Sequence, residues 1–321
     1  MILFRRNIES VEQLRSLTRQ IADLPGRPLL CVDQEGGPVD RLKDLLGPTI
    51  SFRRAAEAGQ ARDAGQLAGE ACAQMGFDID LAPVVDRLLP GASERILAER
   101  AASSDPTVIA RAANDFLLGL SESGIGGCVK HFPGLGRANL DTHKELPEVD
   151  KPWKKLWAED LLPYRKLAGQ FPFAMVAHAS YPQVTKDKSP ASLSRKWMKD
   201  ILREKIGYRG LIISDDLEMG GVLAAGSIEH VSVETIRAGA DIFLVCHNQE
   251  LVWRGYEAVL REAEKDRTFA AQVARAASRI MSFKRRTRSL HHFAAPPKAK
   301  VVATLKKIVQ DFSRVIEEHQ A

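Results

Sequence analysis

The chain has few aromatic residues and contains no long run of apolar residues. Phe, Trp and Tyr make up 6% of the 321 residues, and no nucleic-acid-binding module is visible, so base stacking is not indicated. No apolar run approaches the roughly 20 residues that a membrane-spanning helix needs. The first residues do not combine a basic stretch with a cleavable apolar one. We therefore expect neither a nucleic-acid partner nor a membrane association.

Cysteines are also scarce. The four, Cys31, Cys72, Cys128 and Cys246, lie far apart in or beside apolar stretches. None belongs to a Cys-x-x-Cys pair or to a Cys-His spacing typical of metal sites. Because this pattern is typical of buried free thiols in a reducing compartment, we expect a cytoplasmic protein.

Length and composition limit the architecture. The 321 residues suit one large α/β barrel or two smaller domains, and an apolar content of 45% is enough for a full core. The formal net charge is only +5, and much of the excess lies from Lys284 to Arg288 and in the tail that follows. We interpret this basic run as a solvated terminal helix.

Strand and helix signals alternate along the chain, which favours a parallel sheet with crossover helices. The predicted strands are Ile2 to Phe4, Leu29 to Val32, Asp78 to Val84, Cys128 to His131, Ala174 to His178, Leu211 to Ser214 and Ile242 to Cys246. The longest predicted helices are Ser10 to Ala22, Phe52 to Met75, Asp105 to Ser123, Trp157 to Leu167, Ser194 to Lys205, Ile228 to Ala238, Glu250 to Lys265 and Phe269 to Lys284.

Seven strands are one fewer than a closed eight-stranded barrel has. Three explanations remain open: a first βα unit precedes the start of this chain, Val301 to Leu305 substitutes for the missing strand, or the barrel is open. We predict a TIM-type (β/α) barrel over 1–285 that lacks its first βα unit. The remaining residues, 286–321, are predicted to form a basic linker and a last helix, Val302 to His319.

The most informative segment follows the fourth predicted strand. Lys130 to Gly136 reads Lys-His-Phe-Pro-Gly-Leu-Gly, and Asp141-Thr142-His143 comes soon after it. Proline and the two glycines force a loop, because proline lacks an amide donor and glycine tolerates positive φ. Parallel α/β folds place their chemistry where ionisable groups follow a buried strand in this way. The alternative is a solvated loop with incidental charges.

Polar side chains also follow four other predicted strands. They are Asp33, Asp86, His178 and the pair Asp215-Asp216. An aspartate that caps the next helix would explain any one of these positions. It does not easily explain all of them, so we expect one site at the carboxyl ends of the strands.

Taken in order, these motifs resemble the family 3 glycoside hydrolases, in particular the bacterial β-N-acetylglucosaminidases of the NagZ type. The matching elements are Lys130 to Gly136, Asp141-Thr142-His143, Ser214 to Met219, Val32 to Gly37 with Arg41, and Glu99-Arg100 ahead of Asp105-Pro106. The resemblance covers about residues 2 to 285.

The sequence departs from the family's pattern in four places. Leu135 replaces a frequent histidine, Thr142 replaces a serine, and the residues before Arg100 are less typical. The strand and helix with which the family usually begins are absent from this chain. The first two changes leave the titratable groups of the motifs intact.

The resemblance implies hydrolysis of terminal non-reducing β-linked N-acetylglucosamine through a covalent glycosyl-enzyme. The implied substrates are peptidoglycan turnover fragments, either muropeptides or saccharides, in which N-acetylglucosamine is joined to an anhydro-muramic residue. No metal or organic cofactor is implied. We expect a monomer or a weak dimer.

Two groups are expected to perform the chemistry. Asp215 is the first carboxylate past the Ile212-Ile213 strand and matches the family's nucleophile; the alternative role, a helix N-cap, suits Asp216 better. The resemblance makes His143 the acid/base. Asp141, two residues earlier in an extended segment, can lie on the same side and orient the imidazole. The alternative is a surface histidine with a chance acidic neighbour.

Other positions are expected to bind the sugar. Asp33 can accept, and Arg41 can donate, hydrogen bonds to ring hydroxyls. Arg100, Lys130 and His131 match the family's sugar-binding positions, and His178 is expected to line the same pocket. Each of these residues could instead belong to a salt bridge at the mouth of the barrel.

Two other functions remain open from the sequence. Lys130 at the carboxyl end of a strand could form a Schiff base in a barrel lyase if burial lowered its pKa. Alternatively, a barrel without its first unit could bind sugars without turning them over.

Overall fold

Seven parallel strands form the central sheet in the described parts of the chain. The computed structural model describes residues 1–90, 97–136, 146–287 and 296–320. The strands of this sheet, in their spatial order, are β1 (Ile2–Leu3), β2 (Cys31–Val32), β5 (Ile79–Asp80), β6 (Gly126–Phe132), β7 (Phe173–Val176), β8 (Leu211–Asp216) and β9 (Ile242–Leu244). The remaining two, β3 (Gln34–Gly36) and β4 (Val39–Asp40), form an antiparallel hairpin that follows β2.

Helices connect the strands. They are α1 (Val11–Ala22), α2 (Lys43–Leu46), α3 (Phe52–Glu57), α4 (Ala61–Met75), α5 (Pro106–Glu122), α6 (Trp153–Ala158), α7 (Leu162–Leu167), α8 (Pro182–Thr185), α9 (Lys196–Lys205, a π-helix), α10 (Gly220–Leu223), α11 (Ile228–Ala238), α12 (Gln249–Lys265), α13 (Arg267–Arg286) and α14 (Ala299–Gln320). Short 3₁₀ turns lie at Arg5–Asn7 and Ala191–Leu193. None of the described helices has the length and apolarity that crossing a bilayer requires.

Side chains alternate between the two faces of the sheet, as the pleat of a strand requires. Phe173 and Met175 of β7 point into the barrel, whereas Ala174 and Val176 belong to the core beneath the helices. The interior cluster consists of Leu29, Ile79, Leu81, Cys128, Phe173, Met175, Leu211 and Ile213. The barrel is therefore filled with apolar side chains below its carboxyl end.

The first and last strands approach each other without pairing. Ile2 of β1 and Leu244 of β9 pack against the same interior cluster. Just beyond these strands, the Arg6 guanidinium donates to the Cys246 carbonyl oxygen at 2.5 Å. The sheet thus curls into a seven-stranded barrel with a seam between β1 and β9. This confirms the predicted TIM-type barrel that lacks a unit.

Three details differ from the predicted elements. The helix predicted from Phe52 to Met75 is two helices, α3 and α4, because Gly59 between them has a φ of 70°. The segment Trp157 to Leu167 is likewise divided between α6 and α7. Val301 to Leu305 is helical, so the suggestion that it supplies an eighth strand is wrong.

The last helix, α14, packs back onto the barrel. Leu305 and Val309 are buried in the main core, and Ile316 packs with Ile50 and Ala55 beside α3. This places α14 behind the β3–β4 hairpin.

Candidate active site

One cavity of about 510 Å³ opens at the carboxyl ends of the strands. Its polar lining brings together residues that are far apart in sequence: Asp33, Glu35, Arg41, Arg100, Lys130, His131, Asp215, Asp216, Glu218 and His247. Phe4 and Leu135 are among its apolar lining residues. Five of the six predicted sugar-binding residues therefore share one cavity with Asp215.

A buried ion network forms one wall of the cavity. Lys130 Nζ lies 2.8 Å from Asp33 Oδ1 and 2.6 Å from Glu35 Oε1. Arg100 donates two hydrogen bonds to the same Glu35 carboxylate, from Nε (2.7 Å) and from Nη2 (2.9 Å). The side chains of Glu35 and Lys130 are only 2% and 3% exposed, so the centre of the network is shielded from bulk water.

The charges in this network hold each other ionised. Burial alone would raise the pKa of Glu35, but Lys130 and Arg100 outweigh burial and lower it. Burial alone would lower the pKa of Lys130, but Asp33 and Glu35 outweigh it and raise the pKa. Lys130 is therefore a protonated donor, which contradicts the lowered pKa that the Schiff-base lyase needs.

The β3–β4 hairpin carries one member of this network, Glu35, and Asp33 directly precedes the hairpin. Gln34 anchors it: its amide oxygen accepts from the backbone amides of Arg41 and Leu42, and its amide nitrogen donates to Asp40 at 2.8 Å. Gly36, at a φ of 81°, is needed because a Cβ there would lie 2.1 Å from the Ile50 carbonyl oxygen. The hairpin thereby turns Glu35 towards the network.

Arg41 follows β4 and lines the cavity, and its guanidinium is held less tightly than that of Arg100. Its Nη2 lies 3.8 Å from Asp33 Oδ2, beyond hydrogen-bonding distance. Its Nε is buried without a hydrogen-bond partner among the described residues. A donor in this state is suited to a ligand oxygen.

Asp86 fixes the loop that carries His131. The Asp86 carboxylate accepts from His131 Nδ1 at 2.6 Å, from the His131 backbone amide at 3.2 Å and from the Leu135 backbone amide at 2.7 Å. Tyr181 holds the same loop by donating to the Gly134 carbonyl oxygen at 2.9 Å. The Nδ1 contact leaves His131 Nε2 as the ring atom available to the cavity.

Asp215 and Asp216 have different environments at the end of β8. Asp215 Oδ1 accepts from the Asp216 amide at 2.8 Å. Burial would raise the pKa of Asp215, but His131, His178, this amide and Lys130 outweigh burial and lower it. Asp215 is therefore an ionised carboxylate with a second oxygen available, as a nucleophile must be.

Asp216 has a mainly structural role. Its Oδ1 accepts from the backbone amides of Glu218 at 3.1 Å and Cys246 at 3.2 Å. Burial, followed by the nearby Glu218 and Asp215 charges, raises the pKa of Asp216. These contacts fix the loop that follows β8. The N-cap of the next helix, α10, is Met219, so the suggestion that Asp216 is a helix N-cap is wrong.

His178 lies behind Asp216 and does not belong to the cavity lining. Its Nδ1 is 2.6 Å from Ser192 Oγ, and its Nε2 is 3.0 Å from the Asp216 carbonyl oxygen. Burial lowers the pKa of this fully enclosed imidazole. The prediction that His178 lines the pocket is therefore wrong, because both ring nitrogens form hydrogen bonds with other protein atoms.

Asp141 and His143, the expected acid/base pair, lie outside the described residues. Nothing in the described structure places them relative to Asp215.

For three residues of the site, the sequence predicts no functional role. Glu35 stands two positions after Asp33, Asp86 directly follows a buried stretch, and Glu218 occupies the variable position of the Ser-Asp-Asp-Leu-x-Met element. Position after a strand was the available signal for Asp86. For Glu35 and Glu218 the function depends on partners more than 25 residues away.

One described group has the donor set for a cation. Ligand atoms of Asp216, Glu218 and His247 lie within 4.8 Å of one another. The Glu218 carboxylate, however, accepts from the backbone amides of Cys246 (2.8 Å) and Asn248 (3.0 Å). Through these hydrogen bonds, the cluster connects the loop that follows β8 to the loop that follows β9.

The chain is similar to known proteins along most of its length. Residues 1–283 match the glycosyl hydrolase family 3 N-terminal domain. A beta-hexosaminidase of Aromatoleum aromaticum is 37% identical over 263 residues, which cover 78% of this chain and 73% of that protein.

Two solved structures are similar in fold. A family 3 β-N-acetylglucosaminidase from Paenibacillus sp. str. FPU-7 has a TM-score of 0.89 at 28% identity, and the match covers 97% of this chain. This chain spans only 62% of the length of that enzyme. NagZ from Neisseria gonorrhoeae in complex with N-trifluoroacetyl-D-glucosamine has a TM-score of 0.69 at 32% identity, with coverage of 86% of this chain and 89% of NagZ. Because residues 1–283 match the family's N-terminal domain and a 37% identical relative covers most of the chain, the chain belongs to glycosyl hydrolase family 3.

Proposed function

We propose that this protein is a β-N-acetylhexosaminidase that removes terminal non-reducing β-linked N-acetylglucosamine. The observation that carries the proposal is an ionised, partly buried Asp215 in one cavity with Asp33, Arg100, Lys130 and His131. The carboxylate and cationic groups suit the hydroxyls of a pyranose. The names of the relatives, beta-hexosaminidase and β-N-acetylglucosaminidase, support an N-acetylated sugar at this position.

The proposed reaction retains the configuration of the sugar and has two steps. In the first, Asp215 Oδ2 forms a bond to the anomeric carbon, the glycosidic carbon–oxygen bond breaks, and His143 gives its proton to the leaving oxygen. In the second, His143 takes a proton from water, whose oxygen displaces Asp215 from the sugar. Asp141 keeps the imidazole oriented in both steps.

The supporting residues act before the chemistry. Lys130, Arg100 and Asp33 fix the ring, and a fixed ring keeps the anomeric carbon within reach of Asp215. His178 holds the Asp216 carbonyl and thereby the backbone that presents Asp215. Because both nitrogens of His178 are occupied, we assign it a positioning role.

The finer substrate assignment rests on the family resemblance. We propose muropeptides or saccharides of peptidoglycan turnover as substrates, and cytoplasmic recycling as the setting. We further propose a monomer or weak dimer and a division into a barrel, 1–285, and a C-terminal segment, 286–321.

The direct test compares two chromogenic substrates, 4-nitrophenyl N-acetyl-β-glucosaminide and the matching β-glucoside. We expect turnover of the first and little of the second, with the β anomer as the first product seen by proton NMR. Hydrolysis of the glucoside alone would contradict the proposed specificity. An α product formed first would contradict the retaining mechanism.

The role of His143 predicts a dependence on the leaving group. His143→Ala should slow hydrolysis of a disaccharide far more than that of an activated aryl glycoside, because a good leaving group needs no protonation. The measurement is kcat for both substrates in the wild type and the variant. His230→Ala serves as the matched control, since His230 lies on α11 outside the cavity. Equal losses on both substrates would remove His143 from the acid role.

A further inference from the structure

Asp80 is a buried carboxyl group that the proposed mechanism does not use. It is the last residue of β5, and its exposed fraction is 0%. Ile79 and Leu81, on either side of it, belong to the interior cluster, so Asp80 points the other way, towards the helices. Because it does not line the cavity, its side chain lies behind the wall that faces the sugar.

The hydrogen bond that Asp80 accepts connects it to the β3–β4 hairpin. Its Oδ1 accepts from the Gln34 backbone amide at 2.9 Å. Gln34 directly precedes Glu35, whose carboxylate holds both Lys130 and Arg100. Asp80 therefore fixes the backbone from which the central carboxylate of the ion network projects.

The other buried aspartates in the described residues have more partners than Asp80. Asp86 accepts three hydrogen bonds, and Asp40 accepts four. The rest pair with cationic side chains: Asp78 with Arg27, Asp160 with Lys151, and Asp241 with Arg203 and Arg279. Within the same ranges, Asp80 has one donor and no cation, and its Oδ2 has no hydrogen-bond partner.

A carboxyl group in these surroundings is more stable with its proton. Burying an unpaired charge costs far more free energy than burying a neutral polar group. Burial raises the pKa of Asp80 well above its ordinary value, and the Gln34 amide and Lys130 offset only part of this rise. The charges of Asp33 and Glu35 raise the pKa further.

Three thiols also face Asp80, from β2, α4 and β6: Cys31, Cys72 and Cys128. Burial raises the pKa of each thiol, for Cys31 to about 11. The thiols therefore stay uncharged at neutral pH and cannot supply a counter-charge for Asp80.

We propose that Asp80 is a positioning residue for sugar binding and that it acts as an uncharged carboxylic acid. As an acceptor, it holds Gln34 and thereby the Glu35 carboxylate. As a neutral group, it leaves two carboxylates balanced against two cations in the network. An ionised Asp80 would add a third carboxylate that attracts Lys130. The effect on sugar binding rests on the proposed function, whereas the protonation state does not.

The protonation state is tested by the pH dependence of stability. If folded Asp80 keeps a proton that the unfolded chain releases near the ordinary pKa of 3.8, the wild type loses stability as the pH rises. Asp80→Asn keeps a neutral acceptor and lacks this proton. In urea unfolding, the ratio of the wild-type folding constant to that of Asp80→Asn should therefore fall by about tenfold per pH unit between about pH 5 and about pH 7.

The positioning role predicts a change in KM. Asp80→Leu removes the acceptor and keeps a similar side-chain shape, so KM for the chromogenic N-acetyl-β-glucosaminide should rise about tenfold, while kcat falls less than about threefold. Asp80→Asn, the conservative variant, should restore KM to near the wild-type value. Asp78→Asn is the matched control. It changes the buried partner of Arg27 just before β5, so it should lower the folding constant at neutral pH and leave KM unchanged.

Three results would overturn the proposal. They are a folding-constant ratio that stays constant or rises between about pH 5 and about pH 7, a KM as high in Asp80→Asn as in Asp80→Leu, and a wild-type KM in folded Asp80→Leu. The unfolding measurement needs neither Asp80→Leu nor enzyme activity. A wild type that hydrolyses no N-acetyl-β-glucosaminide would defeat the proposed function and the role in sugar binding, while the unfolding data would still decide the protonation state.

Discussion

Asp215→Asn should lower kcat on the chromogenic N-acetyl-β-glucosaminide on the order of 10⁴-fold. The amide has nearly the shape of the carboxylate but cannot form the glycosyl ester, and it carries no charge to stabilise an oxocarbenium-like transition state. A loss of this size corresponds to about 5 kcal/mol of transition-state stabilisation. The structure supports the assignment because Asp215 is partly buried, is ionised and accepts only one amide hydrogen bond from the described residues.

Asp216→Asn is the matched control for this prediction. Its amide oxygen can still accept from Glu218 and Cys246, so the loop should keep its shape and kcat should fall at most about tenfold. Sodium azide should restore turnover in Asp215→Ala, because a small anion can occupy the space of the missing carboxylate. Comparable losses in Asp215→Asn and Asp216→Asn would show that the pair was assigned to the wrong roles.

Glu35→Gln should both destabilise the protein and weaken substrate binding. The substitution removes the charge that holds two buried cations, Lys130 and Arg100, and breaking such a network costs about 3 kcal/mol. Their head groups should also lose their fixed positions, so KM should rise more than kcat falls. Urea unfolding and Michaelis kinetics measure the two effects. Glu12→Gln, at an exposed position on α1, is the control and should change neither.

The same network predicts how stability depends on pH. Because the pKa of Glu35 is lowered in the folded state, its contribution is fully present above the ordinary value of 4.5. It is lost as the pH falls from that value towards the folded-state pKa. The difference in unfolding free energy between wild type and Glu35→Gln should therefore be constant at neutral pH and shrink in acid. A difference that grew in acid would contradict the assigned charge states.

Much of the site could be predicted because parallel strands end at one edge of a sheet. Asp33 directly follows β2, whereas Lys130 and Asp215 lie near the carboxyl ends of β6 and β8, and the barrel places all three in one cavity. The sequence motifs alone were enough to predict these three residues as part of one site. The period of the strands explains the filled interior, since Phe173 and Met175 alternate with Ala174 and Val176.

The remaining features depend on contacts that no local pattern encodes. His178 lies beyond the end of β7, where the period of two no longer sets the side-chain direction, and Ser192 and the Asp216 carbonyl capture it. Glu35 became a central residue only once Lys130 and Arg100 met around it. The split between α3 and α4 needed one residue, Gly59, to adopt a positive φ.

The most direct test of the account is to identify the residue that becomes covalently attached to the sugar. The enzyme is incubated with 5-fluoro-N-acetyl-β-glucosaminyl fluoride, whose ring fluorine slows hydrolysis of the intermediate, and is then digested for peptide mapping by mass spectrometry. We expect one added N-acetyl-5-fluoroglucosaminyl group per chain, on Asp215. Attachment to another residue, or substrate turnover with no adduct at any time, would contradict it.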